Sequence, residues 1–193
     1  VIIFIHRTCI ISVQNIITHL DSLIWYLAHY GFLHKTRYER GVIVKIGIFG
    51  GTFDPIHIEH INMALSAKEE LGLDKLYIVP AHVSPFKTAY PVTAPVHRLN
   101  MVNLAFMDEP DVAVSDYEIK AGGASYTYKT VQYFKKIHPK DKLYLIIGGD
   151  SLGTFFNWYN PDIIAKNEDI AVVLRDGDYT EVDKSQKKFK KLF

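Results

Sequence analysis

The sequence predicts an α/β fold, a doubly wound parallel sheet, from three observations. Short apolar runs rich in β-branched residues alternate with stretches of helical spacing, and the connections between them are short. Two glycine pairs, Gly50-Gly51 and Gly148-Gly149, each follow directly on such a run. Strand–helix alternation across short loops is the pattern of parallel sheets, and these sheets bind ligands beyond the carboxyl ends of their strands. Both glycine pairs fall on that edge.

Each element has its own signal. Val42 to Phe49 alternates and reads as a buried strand, ended by Gly50-Gly51 and a turn at Asp54-Pro55. Ile58, Ile61, Ala64, Leu65 and Leu71 follow helical spacing up to Gly72. Leu76 to Pro80 is a second strand, and Ala81 to Pro95 a loop carrying Lys87. His97 to Met107 reads as a helix and Val112 to Tyr117 as a strand. Ser125 to Ile137 is a helix with Ser125 or Thr127 as its cap. Leu143 to Ile147 is a strand running into Gly148-Gly149-Asp150. A short helical piece, Ile163 to Ala165, then precedes the last strand, Ile170 to Leu174.

A chain of 193 residues suits one such domain, 44–193, with an appendage, 1–43. The formal net charge of +1 gives no global electrostatic case for nucleic acid or a membrane. Cys9 is the only cysteine, which excludes an internal disulfide and any multi-cysteine metal site and fits a reducing cytoplasm. In the first 43 residues a weakly periodic stretch, Ile10 to Phe32, is interrupted by Gln14, Asn15, His19 and Asp21, so no apolar run spans a bilayer. The chain starts with valine, has no methionine before Met63 and places Val44 directly before Lys45. A start codon read as valine at position 44 would put residues 1–43 outside the native protein; their detection by mass spectrometry would refute this. The final stretch, Asp183 to Phe193, holds five lysines and no further strand.

The segment Lys45 to His60, KIGIFGGTFDPIHIEH, carries the chemistry. Glycines let backbone approach a ligand closely or adopt positive φ. The amides and dipole of a following helix start favour an anion. His57 and His60 lie three apart, on one face of a helix start, where their imidazoles can donate to phosphate oxygens. Each such charge-assisted bond is worth roughly 1.5–3 kcal/mol. A tight turn with two surface histidines explains the same residues. A metal reading is weaker, because no third ligand stands nearby.

GGTFDPIHIEH resembles the (H/T)-x-G-H signature of the nucleotidyltransferase superfamily. Three later segments point to one branch, the nicotinate-nucleotide adenylyltransferases. IIGGDSLGTFFNWYNP (Ile146 to Pro161) is similar to their GADxLxxxxxW, ASYTYKT (Ala124 to Thr130) to their SYTxDT, and PAHVSPFK with His97-Arg98 to their PxxxPPHK…R. The resemblance runs from Lys45 to Arg175. It implies a Rossmann-like nucleotidyltransferase fold in which the phosphate of nicotinate mononucleotide attacks the α-phosphorus of ATP, with Mg²⁺ on the triphosphate. By carry-over, His57 and His60 are catalytic, and Gly50, Gly51, Thr52, Lys87 and Arg175 bind ATP or phosphate. Thr127, Asp150, Trp158 and Tyr159 bind the mononucleotide, Trp158 by stacking on the pyridine ring. Each has a plainer role: Trp158 as core, Thr127 and Asp150 as helix caps. Tyr126 and Phe155 read as core, and His82, His97 and His138 as surface or structural. Arg98 serves a phosphate or pairs with an acid. The expected partners are therefore the small-molecule substrates alone, and a homo-oligomer is compatible with the sequence.

Two departures limit the resemblance. Glu59 replaces the motif's small glycine, so a carboxylate stands near the triphosphate unless it turns away. The family's S-S-T-x-I-R segment, whose helix start and arginine bind ATP phosphates, has no counterpart after Arg175, which implies a fold incomplete at its carboxyl end. The alternatives are phosphopantetheine adenylyltransferase, which shares the first motif, and a non-catalytic nucleotide-binding fragment.

Overall fold

A computed structural model describes residues 2–6, 43–86 and 92–174. In chain order the elements are β1 (Ile2–His6), β2 (Lys45–Gly51), α1 (Ile58–Leu71), β3 (Lys75–Pro80), α2 (Pro95–Ala105), β4 (Val112–Val114) and α3 (Tyr117–Ala121). There follow α4 (Thr127–Ile137), β5 (Lys142–Gly148), α5 (Gly149–Thr154), a 3-10 turn (Phe155–Asn157), α6 (Pro161–Asn167) and β6 (Asp169–Leu174). The strands form one sheet in the order β1-β6-β5-β2-β3-β4, and every neighbouring pair is parallel. This is the doubly wound sheet expected. Ile2 to His6 pairs along β6, from Ile2 opposite Ile170 to His6 opposite Leu174. The periodic stretch from Ile10 to Phe32, Lys87, Arg175 and the lysine-rich end lie outside the described residues.

The apolar strand runs are explained by burial on both faces. On one face Phe49 of β2, Ile146 of β5 and Ala171 and Val173 of β6 pack with Met63, Ala64, Ala67 and Leu71 of α1 and Val102 of α2. On the other, Leu145 and Ile147 of β5 and Ile170, Val172 and Leu174 of β6 pack with Val131 of α4, Leu152, Phe155 and Ile164. Ile46 and Ile48 of β2 pack there with Phe134 of α4. Successive strand residues thus serve opposite layers, as the two-residue side-chain period requires. Gly47 is the gap in the first layer: a Cβ there would stand 2.5 Å from Leu73 and 2.9 Å from both Ile146 and Leu76.

The structure corrects three local expectations. The strand read as Val112 to Tyr117 stops at Val114, and Tyr117–Ala121 forms α3. The cap of α4 is Tyr126, and no side chain caps that helix; the Ser125 hydroxyl is used instead by the His82 amide, at 2.9 Å. The positive φ of the first turn falls on Phe53, at 49°, and not on either glycine before it. Gly50 and Gly51 are the last residues of β2. Gly51 is needed for close approach, since a Cβ would meet the Phe53 ring at 2.7 Å.

Candidate active site

The strand order reverses between β2 and β5: β3 and β4 lie beyond β2, and β6 lies beyond β5. A topological switch point of this kind leaves a crevice at the strands' carboxyl ends. A cleft of about 410 Å³ opens there, floored by Phe49, Gly50 and Gly51 of β2 and Ile146, Ile147 and Gly148 of β5.

One end of the cleft is made by the turn from β2 to α1. Phe53 is 1% exposed, and its ring meets Phe49 edge-on at 5.7 Å and His60 at 5.2 Å. It supports His60 from below. His57 is the N-cap of α1, in extended conformation, and does not lie on the helix itself; its carbonyl accepts from the amides of His60 and Ile61 at 3.0 and 3.3 Å. The His57 and His60 rings nonetheless come face to face, with centroids 3.8 Å apart and planes 32° apart, and both line the cleft with Thr52. Two imidazoles and a helix start on one wall suit a multiply charged phosphate. Glu59 is half-buried and is not among the residues lining the cleft, so its carboxylate does not stand in the wall with the histidines.

The other end is aromatic. Trp158 lines the cleft with Thr127 and Asp150. An adjoining pocket of about 270 Å³ is walled by Trp158, Tyr159, Tyr126, Thr127 and Phe86. Trp158 rests on Phe155, with centroids 5.3 Å apart, and Phe155 itself is fully buried. Tyr126 packs against Tyr159 at 5.0 Å and is a pocket wall, not the core residue expected. Asp150 accepts from the Ser151 amide at 2.9 Å. A side chain at Gly148 would meet the Asp150 carboxylate at 2.6 Å, so the glycine keeps room for that carboxylate.

The family model described as cytidylyltransferase-like matches residues 48–191. The chain belongs to this family. Within it, the chain is 42% identical over 133 residues to the probable nicotinate-nucleotide adenylyltransferase of Rhodopirellula baltica, covering 69% of this chain and 62% of that protein. The protein of the same description from Aliarcobacter butzleri is 38% identical over 134 residues, covering 69% of this chain and 73% of that protein. The chain thus spans less than two thirds of the Rhodopirellula relative's length. Among solved structures, the Plasmodium falciparum nicotinic acid mononucleotide adenylyltransferase complexed with NaAD superposes with a TM-score of 0.62 at 20% identity, over 73% of this chain and 71% of that one. At that identity the likeness speaks to the fold.

Of the residues expected from the sequence, the cytidylyltransferase-like cleft brings together Gly50, Gly51, Thr52, His57, His60, Thr127, Asp150 and Trp158, with Tyr159 in the adjoining pocket. Two residues that hold the cleft were not foreseen in that role. Arg98 is not itself among the residues lining the cleft and is fully buried. Its guanidinium donates to the carbonyls of Thr52, Thr93 and His82 at 2.6, 2.8 and 2.9 Å. Burial pulls its pKa down and Asp54 counters. Asp54 in turn accepts from the Thr93 amide at 2.9 Å. The undecided role of Arg98 is therefore structural: one cation ties the turn after β2 to both ends of the loop between β3 and α2.

Glu118, on α3, is the second. It lines the cleft and is 8% exposed. Burial pushes its carboxyl above the usual range, while the hydroxyls of Thr130 and Ser125, which donate to it, work the other way. The sequence signal was present, an acid shortly before the Gly122-Gly123 pair, but nothing in its spacing distinguishes it from a surface charge.

Proposed function

We propose that this chain transfers the adenylyl group of ATP to nicotinate mononucleotide, giving nicotinate adenine dinucleotide and pyrophosphate. The observation that carries the proposal is the two-ended cleft, with two histidines in ring contact at a helix start on one side and Trp158, Tyr159 and Thr127 on the other. The relatives' description as probable nicotinate-nucleotide adenylyltransferases supports the same reading.

In this reaction an oxygen of the mononucleotide phosphate bonds to the α-phosphorus of ATP as the bond to pyrophosphate breaks. The nucleophile is already ionised, so the protein supplies position and charge stabilisation. His57 and His60 donate to the phosphate oxygens as negative charge shifts toward the leaving group, assisted by the start of α1. Thr52 and the Gly50-Gly51 backbone border the same space; Lys87 and Arg175, which lie outside the described residues, are assigned to the phosphates by the family resemblance alone. At the other end Trp158 stacks on the pyridine ring. Thr127 and the Tyr159 amide receive its carboxylate, which favours nicotinate over nicotinamide, and Asp150 holds ribose hydroxyls.

ATP enters as its Mg²⁺ complex, and the metal shields the triphosphate charge. Among the described residues no three His, Cys, Asp or Glu come together to hold an ion. Among the described residues, no helix is long and apolar enough to cross a membrane; the proposed site of action is the cytoplasm, where ATP is available.

The test is pyrophosphate release from Mg-ATP with nicotinate mononucleotide, nicotinamide mononucleotide or phosphopantetheine as acceptor. Release is expected with the first and at least about ten-fold less with the second, as the loss of one charged recognition contact predicts. Release with phosphopantetheine alone, or nucleotide binding without release, would overturn the proposal.

A further inference from the structure

A buried carboxylate facing a cleft is an expensive group, and its partners define its use. Three bonds join the loop after β3 to the turn before α4. The His82 amide donates to Ser125 Oγ at 2.9 Å, the Ser125 amide donates to the Val83 carbonyl at 2.8 Å, and His82 Nδ1 lies 3.0 Å from the Gly123 carbonyl. A single bridge, Val83 opposite Ala124, completes the contact. Ser125 Oγ accepts from His82, which leaves its own proton to donate, and the Ser125 side chain is near enough to the Glu118 carboxyl to pull its pKa down. Thr130 Oγ1, one turn into α4, donates to the same carboxylate. Thr127 lies between these two anchors, at the first position of α4, and its helix start has no side-chain cap.

We propose that Glu118 is a positioning residue for the acceptor half of the cleft: by holding the Ser125 and Thr130 hydroxyls it fixes the segment that presents Thr127 beside Trp158. An acceptor-only carboxylate is suited to this, since it can take both hydroxyl protons at once and thereby orients both donors. An amide in its place offers one acceptor oxygen, and its NH2 can hold the second hydroxyl only by donating to that hydroxyl's oxygen, which reverses the orientation of that donor. The role is distinct from substrate contact and distinct from that of Arg98, which ties the phosphate turn. The identity of the acceptor rests on the adenylyl-transfer reading; the anchoring does not.

The experiment uses the full chain with Glu118→Gln, and Thr130→Val as a second variant should the first fold poorly. Two readouts are needed. Amide hydrogen exchange is expected to quicken at least about ten-fold over Ser125–Thr130 while the amides of β2 and the first turn of α1 are unchanged, as loss of one buried charged hydrogen bond predicts. Initial-rate kinetics are expected to show the KM for nicotinate mononucleotide raised about ten-fold and the KM for ATP within about two-fold of wild type. Equal rises in both KM values, or unchanged exchange over Ser125–Thr130, would overturn the proposal. Localised exchange in a chain that makes no pyrophosphate would uphold the anchor and overturn the adenylyl-transfer reading instead.

Discussion

The two ends of the cleft are built in different ways. The histidine end, proposed to take phosphate, is one contiguous piece of chain, β2, turn and α1, whose groups line the cleft because strand end and helix start already point there. The acceptor end is assembled from pieces far apart in sequence: the loop at His82 to Phe86, the turn at Ser125 to Thr127, and the Trp158-Tyr159 corner. Such pieces meet through one short backbone bridge, Val83 opposite Ala124, and through side chains such as Ser125 and Glu118. The contiguous end takes its outline from its own strand and helix and needs a single buried tie, Arg98, whereas the assembled end depends on several.

This comparison can be broken in order of effect. Arg98→Met would leave three part-buried carbonyls, of Thr52, Thr93 and His82, without their donor, at about 1–3 kcal/mol each. A loss of roughly 3–5 kcal/mol, seen as a melting point about 10 °C lower, is expected; an unshifted melting curve would mean the loops hold without it. His57→Ala is expected to keep the melting point and lower turnover about 100- to 1000-fold, since it removes one transition-state donor. Stopped-flow or steady-state pyrophosphate release measures it, and wild-type turnover would remove His57 from the mechanism. Trp158→Ala should raise the acceptor KM about ten-fold and spare the KM for ATP, the signature of losing a stacking face at one end only. A matching rise for ATP would show that the ends are not separate. Glu59→Gly is the finest probe. Removing a carboxylate near the triphosphate should lower the KM for ATP by about two- to five-fold, while glycine in the first helical turn costs about 1 kcal/mol of stability. An unchanged KM would show that the Glu59 carboxylate has no electrostatic reach into the cleft.

The same division decides what could be read in the sequence. The order of strands and helices was legible because burial on both faces of a parallel sheet leaves continuous apolar runs. His57, His60, Gly51 and Thr52 were legible because neighbours in sequence are neighbours in the site. The histidines of that turn, His57 exposed and His60 half-buried, meet ring to ring and line the cleft. Illegible was anything set by distant packing. Phe53 takes the left-handed conformation because its ring is buried between Phe49 and His60, which no local preference reveals. Arg98 looks like a surface helix residue until Thr52, Thr93 and His82 are seen around it. Tyr126, expected in the core, forms a pocket wall because the aromatic corner reaches it from 33 residues further along the chain, at Tyr159.

The shortness of β4 also has a meaning for the protein in solution. It lies at the sheet's edge and has three residues, with the Ser115 amide donating to the Ile78 carbonyl at 2.8 Å just beyond it. A long open edge invites another chain to add a strand, the first step toward aggregation, and a stub of this length offers little template. By leaving the sheet early the chain blunts that edge, and the residues saved from the strand become the helix that carries Glu118 inward.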